Sequence, residues 1–294
     1  MSTVAGPLAR LPRQGRQVFL MWLVATAIAE PLIVLVLGPH LPPGRMTSEA
    51  GAQTDANVLM TALVAPIVLL LWIYFGYSLV VFRARGAAIE DGRPIFGHMP
   101  TQALWIALTS AVVIALAAWG SYTLIVSSDG AGGGQGPNPV ALPSDPPGDA
   151  PLQVQVIGQQ WNWTYRFPAY GNVETAHLEL PAAKPPAVST VELHVTSLDV
   201  THSFWAYELG VKADAVPGVD NIVFVHPRRT GSFSIRCAEL CGLWHGHMFQ
   251  TGQVVSGDQF KAWIAQQQAA GSLNHKYLPP YGRTYFPKPT RRAG

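Results

Sequence analysis

Cys237 and Cys241 are the only cysteines in the chain. They stand in the stretch CAELCGLWHGHM, residues 237–248, with His245, His247 and Met248 close behind. The spacing C-x3-C-x3-H-x2-M lets one loop bring two thiolates, an imidazole and a thioether toward a common point, a soft donor set that suits copper. Met248 is the only methionine after Met99, so general core filling explains it poorly. Two other readings stand beside the metal: a disulfide in an exported domain, and chance adjacency. A disulfide, however, requires neither histidine nor methionine. A blue-copper site uses one thiolate with two histidines, whereas two thiolates can bridge a pair of ions, which then needs a further terminal ligand. His202, in DVTHSFW at the start of an expected strand, is the best candidate. His247 reads as a surface or supporting group beside His245, and His177, His194 and His226 belong to no motif.

Such a loop must be held by a folded domain, and the composition says what else the chain contains. Hydrophobic residues make up 49% and charged residues 12% of the 294, about half the charged share of a soluble protein. The formal net charge of +2 implies no nucleic-acid partner, and the basic residues sit mostly beside apolar runs.

Val58 to Phe82 carries no charge over about 25 residues, roughly 37 Å as a helix, enough to cross a bilayer. Leu104 to Val126 is equally uncharged, with Trp105, Trp119 and Tyr122 toward its ends, where amphipathic rings favour the interface. Arg83, Arg85 and Arg93 lie between the two runs and place that connection in the cytoplasm, and hence the long C-terminal half outside it. A third run, Val18 to Gly38, follows Arg10, Arg13 and Arg16 and has two readings. It is a signal peptide ending at Ser48-Glu49-Ala50, or a retained helix in which Glu30 faces protein rather than lipid.

After Val126 comes a stretch dense in Gly, Pro, Ser and Asp, expected to be an extended tether. Beyond it LQVQVIG, WNWTYRF, TVELHVTS, NIVFVHP, GSFSIR and FQTGQVV alternate or are β-branched between Pro and Gly turns, as in a sandwich or barrel. Ser256 and Gln259 form a capping box ahead of a final helix with Phe260, Trp263 and Ile264 on one face and Gly271 as its stop. The expected organisation is therefore 1–56, a signal or extra helix; 57–127, a transmembrane hairpin; 128–151, a linker; 152–271, an extracytoplasmic β domain; and 272–294, a tail.

GQQWNWTYRF, DVTHSFW, LGVKADAVPG and CAELCGLWHGHM, in this order and near this spacing, resemble subunit II of cytochrome c oxidase over nearly the whole chain. The resemblance implies transmembrane helices followed by an all-β cupredoxin-like sandwich with a C-terminal helix. It implies a dinuclear copper A centre in which Cys237 and Cys241 bridge two copper ions, His202 and His245 are terminal ligands and Met248 is a weak axial ligand. The carbonyl of Glu239 would be the last ligand, with its side chain toward a magnesium ion at the interface with the catalytic subunit.

By the same resemblance Trp161 takes an electron from cytochrome c or an equivalent soluble donor. The copper pair passes it to the haem of catalytic subunit I, which reduces oxygen to water, with subunit III as a further partner in the inner (plasma) membrane. Sharing one electron over two bridged ions keeps geometry nearly fixed between oxidation states, which suits a relay. Trp163 reads as strand packing on the same face as Trp161.

Three features depart from the family or separate rival readings. Gln102 stands where the family has a glutamate near a proton-uptake path, and an amide cannot carry a proton on and off. Glu174, Glu179, Asp199, Asp214 and Asp220 form no dense cluster that would greet a basic cytochrome, and read mostly as solvated surface. No CxxCH occurs, so the chain attaches no haem c. The rival function is a membrane-tethered copper-binding or copper-delivery protein, against which Trp161 and Glu239 argue. A quinol-oxidase subunit lacks the copper ligands, and nitrous-oxide reductase has a second, histidine-rich cluster that finds no counterpart here.

Overall fold

The computed structural model describes residues 12–83, 97–126, 151–182 and 190–270. The Gly/Pro tether, Arg85, Arg93, Gly271 and the tail lie outside them.

Among the described residues, three helices are long and apolar enough to cross a membrane: Arg13–His40, Ser48–Val81 and Met99–Thr123. The first begins as α1 (Arg13–Pro31) and runs on through a π-helical stretch, Leu32–Leu37, and a 3-10 turn, Gly38–His40. The helix therefore continues past Glu30 and Pro31. Proline removes one backbone donor and crowds the preceding turn, and a wider helical turn accommodates such a site. Thr26 Oγ1 and Glu30 Oε1 are buried without a hydrogen-bond partner among the described residues.

Helix α2 (Ser48–Val81) packs against α1. Trp22 Nε1 donates to the carbonyl of Pro66 at 2.8 Å, and Tyr77 Oη donates to Gln17 Oε1 at 2.6 Å. Thr61, Ser78 and, on α3 (Met99–Val126), Thr109 return their hydroxyls to carbonyls four residues back, so these polar groups are satisfied within their own helices.

Residues Pro42–Gln53 group with the β-sandwich rather than with the apolar helices. Arg228 N and Arg229 N donate to Met46 O, Thr47 Oγ1 donates to Leu209 O, and Ser48 N donates to His226 O. The Glu49 carboxylate accepts from His226 Nδ1 at 2.6 Å and from His226 N at 3.1 Å. The Ser48-Glu49-Ala50 segment is thus a packed strap in this fold. Gly210, at φ +71°, lies so close to Ala50 that a Cβ there would stand 2.8 Å from Ala50 N.

The sandwich has two five-stranded sheets, ordered β3-β2-β1-β5-β8 and β4-β10-β9-β6-β7. The first comprises β1 (Leu152–Gln159), β2 (Asn162–Phe167), β3 (Val173–Thr175), β5 (Val191–Ser197) and β8 (Asn221–Val225). The second comprises β4 (Glu179–Ala182), β6 (His202–Ala206), β7 (Val211–Ala215), β9 (Gly231–Cys237) and β10 (Phe249–Ser256). Val154, Val156, Trp163, Tyr165 and Phe167 of one sheet meet Phe204, Ala206, Phe233 and Ile235 of the other in a fully buried core. The six runs read as strands all are strands, the strand expected to start at His202 is β6, and β3, β4 and β7 join them. Helix α4 (Gly257–Ala269) carries both bonds of the Ser256/Gln259 capping box, and Phe260 and Ile264 are buried against the sandwich.

Candidate metal centre

The six residues expected at the metal converge at one end of the second sheet. His202 opens β6 and Cys237 ends β9, and the pairing of β6 with β9 sets Phe204 opposite Cys237. Cys237 N donates to Met248 O at 3.0 Å, which closes the β9–β10 loop, and Ala238 N donates to Ser203 O at 2.9 Å, which ties the loop to β6. Strand pairing thereby joins a histidine to a thiol 35 positions away.

Cys237 Sγ lies 3.8 Å from His202 Nδ1, 3.7 Å from Cys241 Sγ and 3.2 Å from the carbonyl oxygen of Glu239. Cys241 Sγ lies 3.5 Å from His245 Nδ1 and 3.9 Å from Met248 Sδ. Both cysteines are free and buried. Their sulfurs are far beyond disulfide bonding, about 2.05 Å, so the disulfide reading has no support here. His202, Cys237 and Cys241 offer ligand atoms all within 4.8 Å of one another. Two thiols, two imidazole nitrogens, a thioether and one carbonyl around one point fit copper as a soft donor set. The side chain of Glu239 is exposed.

The electrostatics of the pair are uneven. Burial by itself would raise the Cys237 thiol, but hydrogen bonds from His202, from backbone at Ser203 and Glu239 and from Cys241 outweigh it and hold it low. Burial raises Cys241, and the neighbouring Cys237 thiolate raises it further. One of the two sulfurs is therefore the readier thiolate. His202 is held above its ordinary value, against burial, by Cys237 and Asp199.

Asp199 and Gln160 are supporting residues that the motif reading did not assign. Asp199 Oδ1 accepts from His202 Nε2 at 2.9 Å, which leaves Nδ1 to face the sulfurs, an outer-shell arrangement that fixes a ligating imidazole. Its signal in the sequence was its position three residues before His202. Asp199 Oδ2 also accepts from Gln160 N, and these bonds outweigh burial and hold the carboxyl below its usual range. Gln160 Nε2 and Trp161 Nε1 both donate to the carbonyl of Cys241, at 2.8 and 3.1 Å. Gly158 supplies room: a Cβ there would meet Trp163 Cζ3 at 3.0 Å and His202 Cδ2 at 3.1 Å.

Trp161 and Trp163 both pack at the core, Trp161 at its margin and Trp163 within it. Trp161 precedes β2, in the turn between β1 and β2, where strand alternation does not apply. It is half-buried, whereas Trp163 is fully buried against His202 and Phe204. His247 lies in a 3-10 turn, not an extended loop, and its exposed ring meets Trp244 edge-on. Of the acidic residues, Glu179, Asp199 and Asp214 reach the surface as expected, while two are taken into the fold. Glu174 is buried with Arg166, Asp220 is buried with His194, and Asp199 bonds His202. Gln102 lies in the first turn of α3.

A cleft of about 460 Å³ opens beside the centre, lined among others by Trp205, Arg236, Cys237, His245, Met248 and Phe249.

Fold and site together define a chain with membrane-spanning apolar helices and a two-sheet β-sandwich that presents a thiol-rich cluster able to hold a metal ion. The comparisons with known proteins agree. The family described as cytochrome c oxidase subunit II, periplasmic domain, matches residues 184–255. Cytochrome c oxidase subunit 2 of Synechocystis sp. is 28% identical, covering 70% of this chain and 74% of that protein. That of Thermostichus vulcanus is 29% identical, covering 90% and 92%. The crystal structure of the periplasmic domain of subunit II of cytochrome oxidase from Bradyrhizobium japonicum, 28% identical, covers 42% of this chain and 98% of its own at a TM-score of 0.39. The chain is thus similar to cytochrome c oxidase subunit II along most of its length, and the family's periplasmic-domain model matches the part that carries the Cys237 and Cys241 loop.

Proposed function

We propose that this chain accepts electrons from a soluble donor, cytochrome c or an equivalent, and relays them to the haem of catalytic subunit I in the inner membrane. Cys237, Cys241, His202, His245, Met248 and the Glu239 carbonyl would hold two copper ions, which when bound supply a one-electron store of nearly fixed geometry. Subunit III would be a further partner, and the exposed side chain of Glu239 would meet a magnesium ion at the catalytic-subunit interface.

The observation that carries this reading is the pair of hydrogen bonds from Trp161 and Gln160 to the carbonyl of Cys241. They connect a half-buried aromatic ring directly to a residue that holds the metal. A delivery protein has no use for such a connection, because it must release its ion rather than couple it to a partner. The Asp199–His202 bond supports the same view, since it fixes a buried imidazole rather than letting it swing away with cargo.

Copper analysis of the full chain expressed alone tests the proposal. Two coppers per chain, retained against a competing chelator, are expected. One copper per chain, ready loss to the chelator, or a Cys237–Cys241 disulfide in freshly isolated protein would overturn it.

A further inference from the structure

His194 belongs to no motif and has no part in the centre at Cys237 and Cys241, yet it stands among ionisable groups of its own. Glu192 and His194 are two positions apart on β5, so their side chains leave the same face of the first sheet. Glu192 pairs with Gln153 of β1, His194 pairs with Ile222 of β8, and Asp220 immediately precedes β8. His202 and Cys237 belong to the other sheet.

A neighbour orients each member of the cluster. Asp220 Oδ2 lies 2.8 Å from His194 Nδ1, and Gln153 Nε2 donates to Glu192 Oε2 at 3.2 Å. These bonds occupy one end of the imidazole and one oxygen of the glutamate. The other ends, His194 Nε2 and Glu192 Oε1, face each other at 3.3 Å. Nε2 is nevertheless buried without a hydrogen-bond partner among the described residues, and so is Asp220 Oδ1. Buried polar atoms are seldom left in that state without a reason.

We propose that His194 Nε2 and Glu192 Oε1 bind a zinc ion, with Asp220 positioning the imidazole, Gln153 positioning the carboxylate and water completing the coordination. Zinc holds imidazole nitrogen and carboxylate oxygen at about 2.0–2.2 Å, so two such ligands in a tetrahedral shell stand about 3.3 Å apart. The two free atoms already have that separation. A ligating histidine gives its other ring nitrogen to a carboxylate or carbonyl, the place that Asp220 takes. The Asp220 side chain is only 4% exposed and so gives firm support, whereas His194 and Glu192 keep 16% and 14% open, which admits an ion from solvent. An imidazole ligand disfavours magnesium and calcium, which take oxygen. Zinc replaces the proton on Nε2, which is released on binding. Without zinc the three side chains remain an ion-paired cluster.

The test uses the purified oxidase complex, with zinc alone as the probe. Competition with a chromophoric chelator counts the zinc bound, and zinc X-ray absorption at one equivalent reads its ligands. The parent should bind one zinc more than His194→Gln or Glu192→Gln, through one imidazole and further oxygen ligands, with no sulfur. Asp220→Asn keeps both ligands but weakens the support of the ring, and should lower the zinc affinity about 10- to 100-fold. Magnesium in large excess should leave the zinc in place. Equal zinc content in the parent and His194→Gln, sulfur in the zinc shell, or displacement of zinc by magnesium would overturn the proposal. The absorption spectrum of the parent decides the ligands even where a variant fails to assemble.

Discussion

Asp199 and His202 are joined by a 2.9 Å hydrogen bond from the outer ring nitrogen of the histidine, while the other carboxylate oxygen takes the backbone N–H of Gln160 at 2.6 Å. One side chain therefore orients a metal-site imidazole and also anchors the residue that precedes Trp161. A carboxylate can do this because both of its oxygens accept.

Asp199→Asn tests that double role. An amide has only one acceptor oxygen, so either His202 or Gln160 must face its NH2 group. Copper affinity should fall about 10- to 100-fold, the usual effect of losing an outer-shell partner, and the reduction potential should shift. Competition with a copper chelator and a redox titration measure the two. Unchanged values of both would mean that the ring is held by its packing against Trp163 alone.

Cys241 and Met248 should respond very differently to substitution. Cys241→Ser removes a sulfur that lies within 4 Å of Cys237, His245 and Met248 alike, and should reduce the bound copper to one ion or none. Met248→Leu keeps the buried volume and removes only a thioether, a ligand type that is weak and long in related copper sites. It should retain copper with a shifted potential. Metal analysis showing equal loss in both variants would contradict these roles.

The two tryptophans separate electron transfer from folding. Trp163 is fully buried, so Trp163→Ala should cost about 3 to 5 kcal/mol of stability. Trp161→Phe keeps an aromatic ring but loses the N–H that bonds the Cys241 carbonyl. Copper should stay bound while oxidation of the donor slows by about tenfold or more, on the order of 1.4 kcal/mol in the barrier. Stopped-flow measurement at matched copper content decides the matter, and a normal rate would remove Trp161 from the path.

His194 gives the domain a pH dependence independent of the metal. Burial opposes its charging, yet Asp220, hydrogen-bonded at 2.8 Å, and Glu192, at 3.3 Å, raise it from 6.5 to about 9. Asp220 has the closer and better aligned contact, since His194 Nε2 makes no hydrogen bond to Glu192. A folded-state value above the unfolded one stabilises fully below about pH 6.5, and that contribution is lost as pH rises through about 9. His194→Gln should therefore lower the melting temperature most near pH 6, with the gap to the parent narrowing toward pH 9 and above. A gap independent of pH would show that the pair contributes no charge interaction.

What was legible in the sequence follows from the range of the interactions involved. The Cys237–Met248 donor set could be read because one short loop carries five of the six metal-site residues, and spacing within a loop is a local property. The apolar helices, six of the strands and the Ser256/Gln259 cap were legible for the same reason, since periodicity and capping are decided within a few residues. Strands as short as Val173–Thr175 escaped, because three residues are too few for alternation to show.

The tertiary structure alone decided how distant segments meet. Pairing of β6 with β9 brings His202 to Cys237, and the turn between β1 and β2 sets Trp161 against the carbonyl of Cys241, 80 positions away. Asp199, Gln160 and Gly158 look like an ordinary acid, amide and glycine until His202, Cys241 and Trp163 are packed against them. The composition of Ser48-Glu49-Ala50 suits a cleavage site and a packed strap alike, because small residues favour both protease access and close packing. Only His226, 177 positions away, shows that Glu49 is buried in a hydrogen bond. Such contacts depend on which strands and loops come together in space, and no local pattern in the chain encodes that.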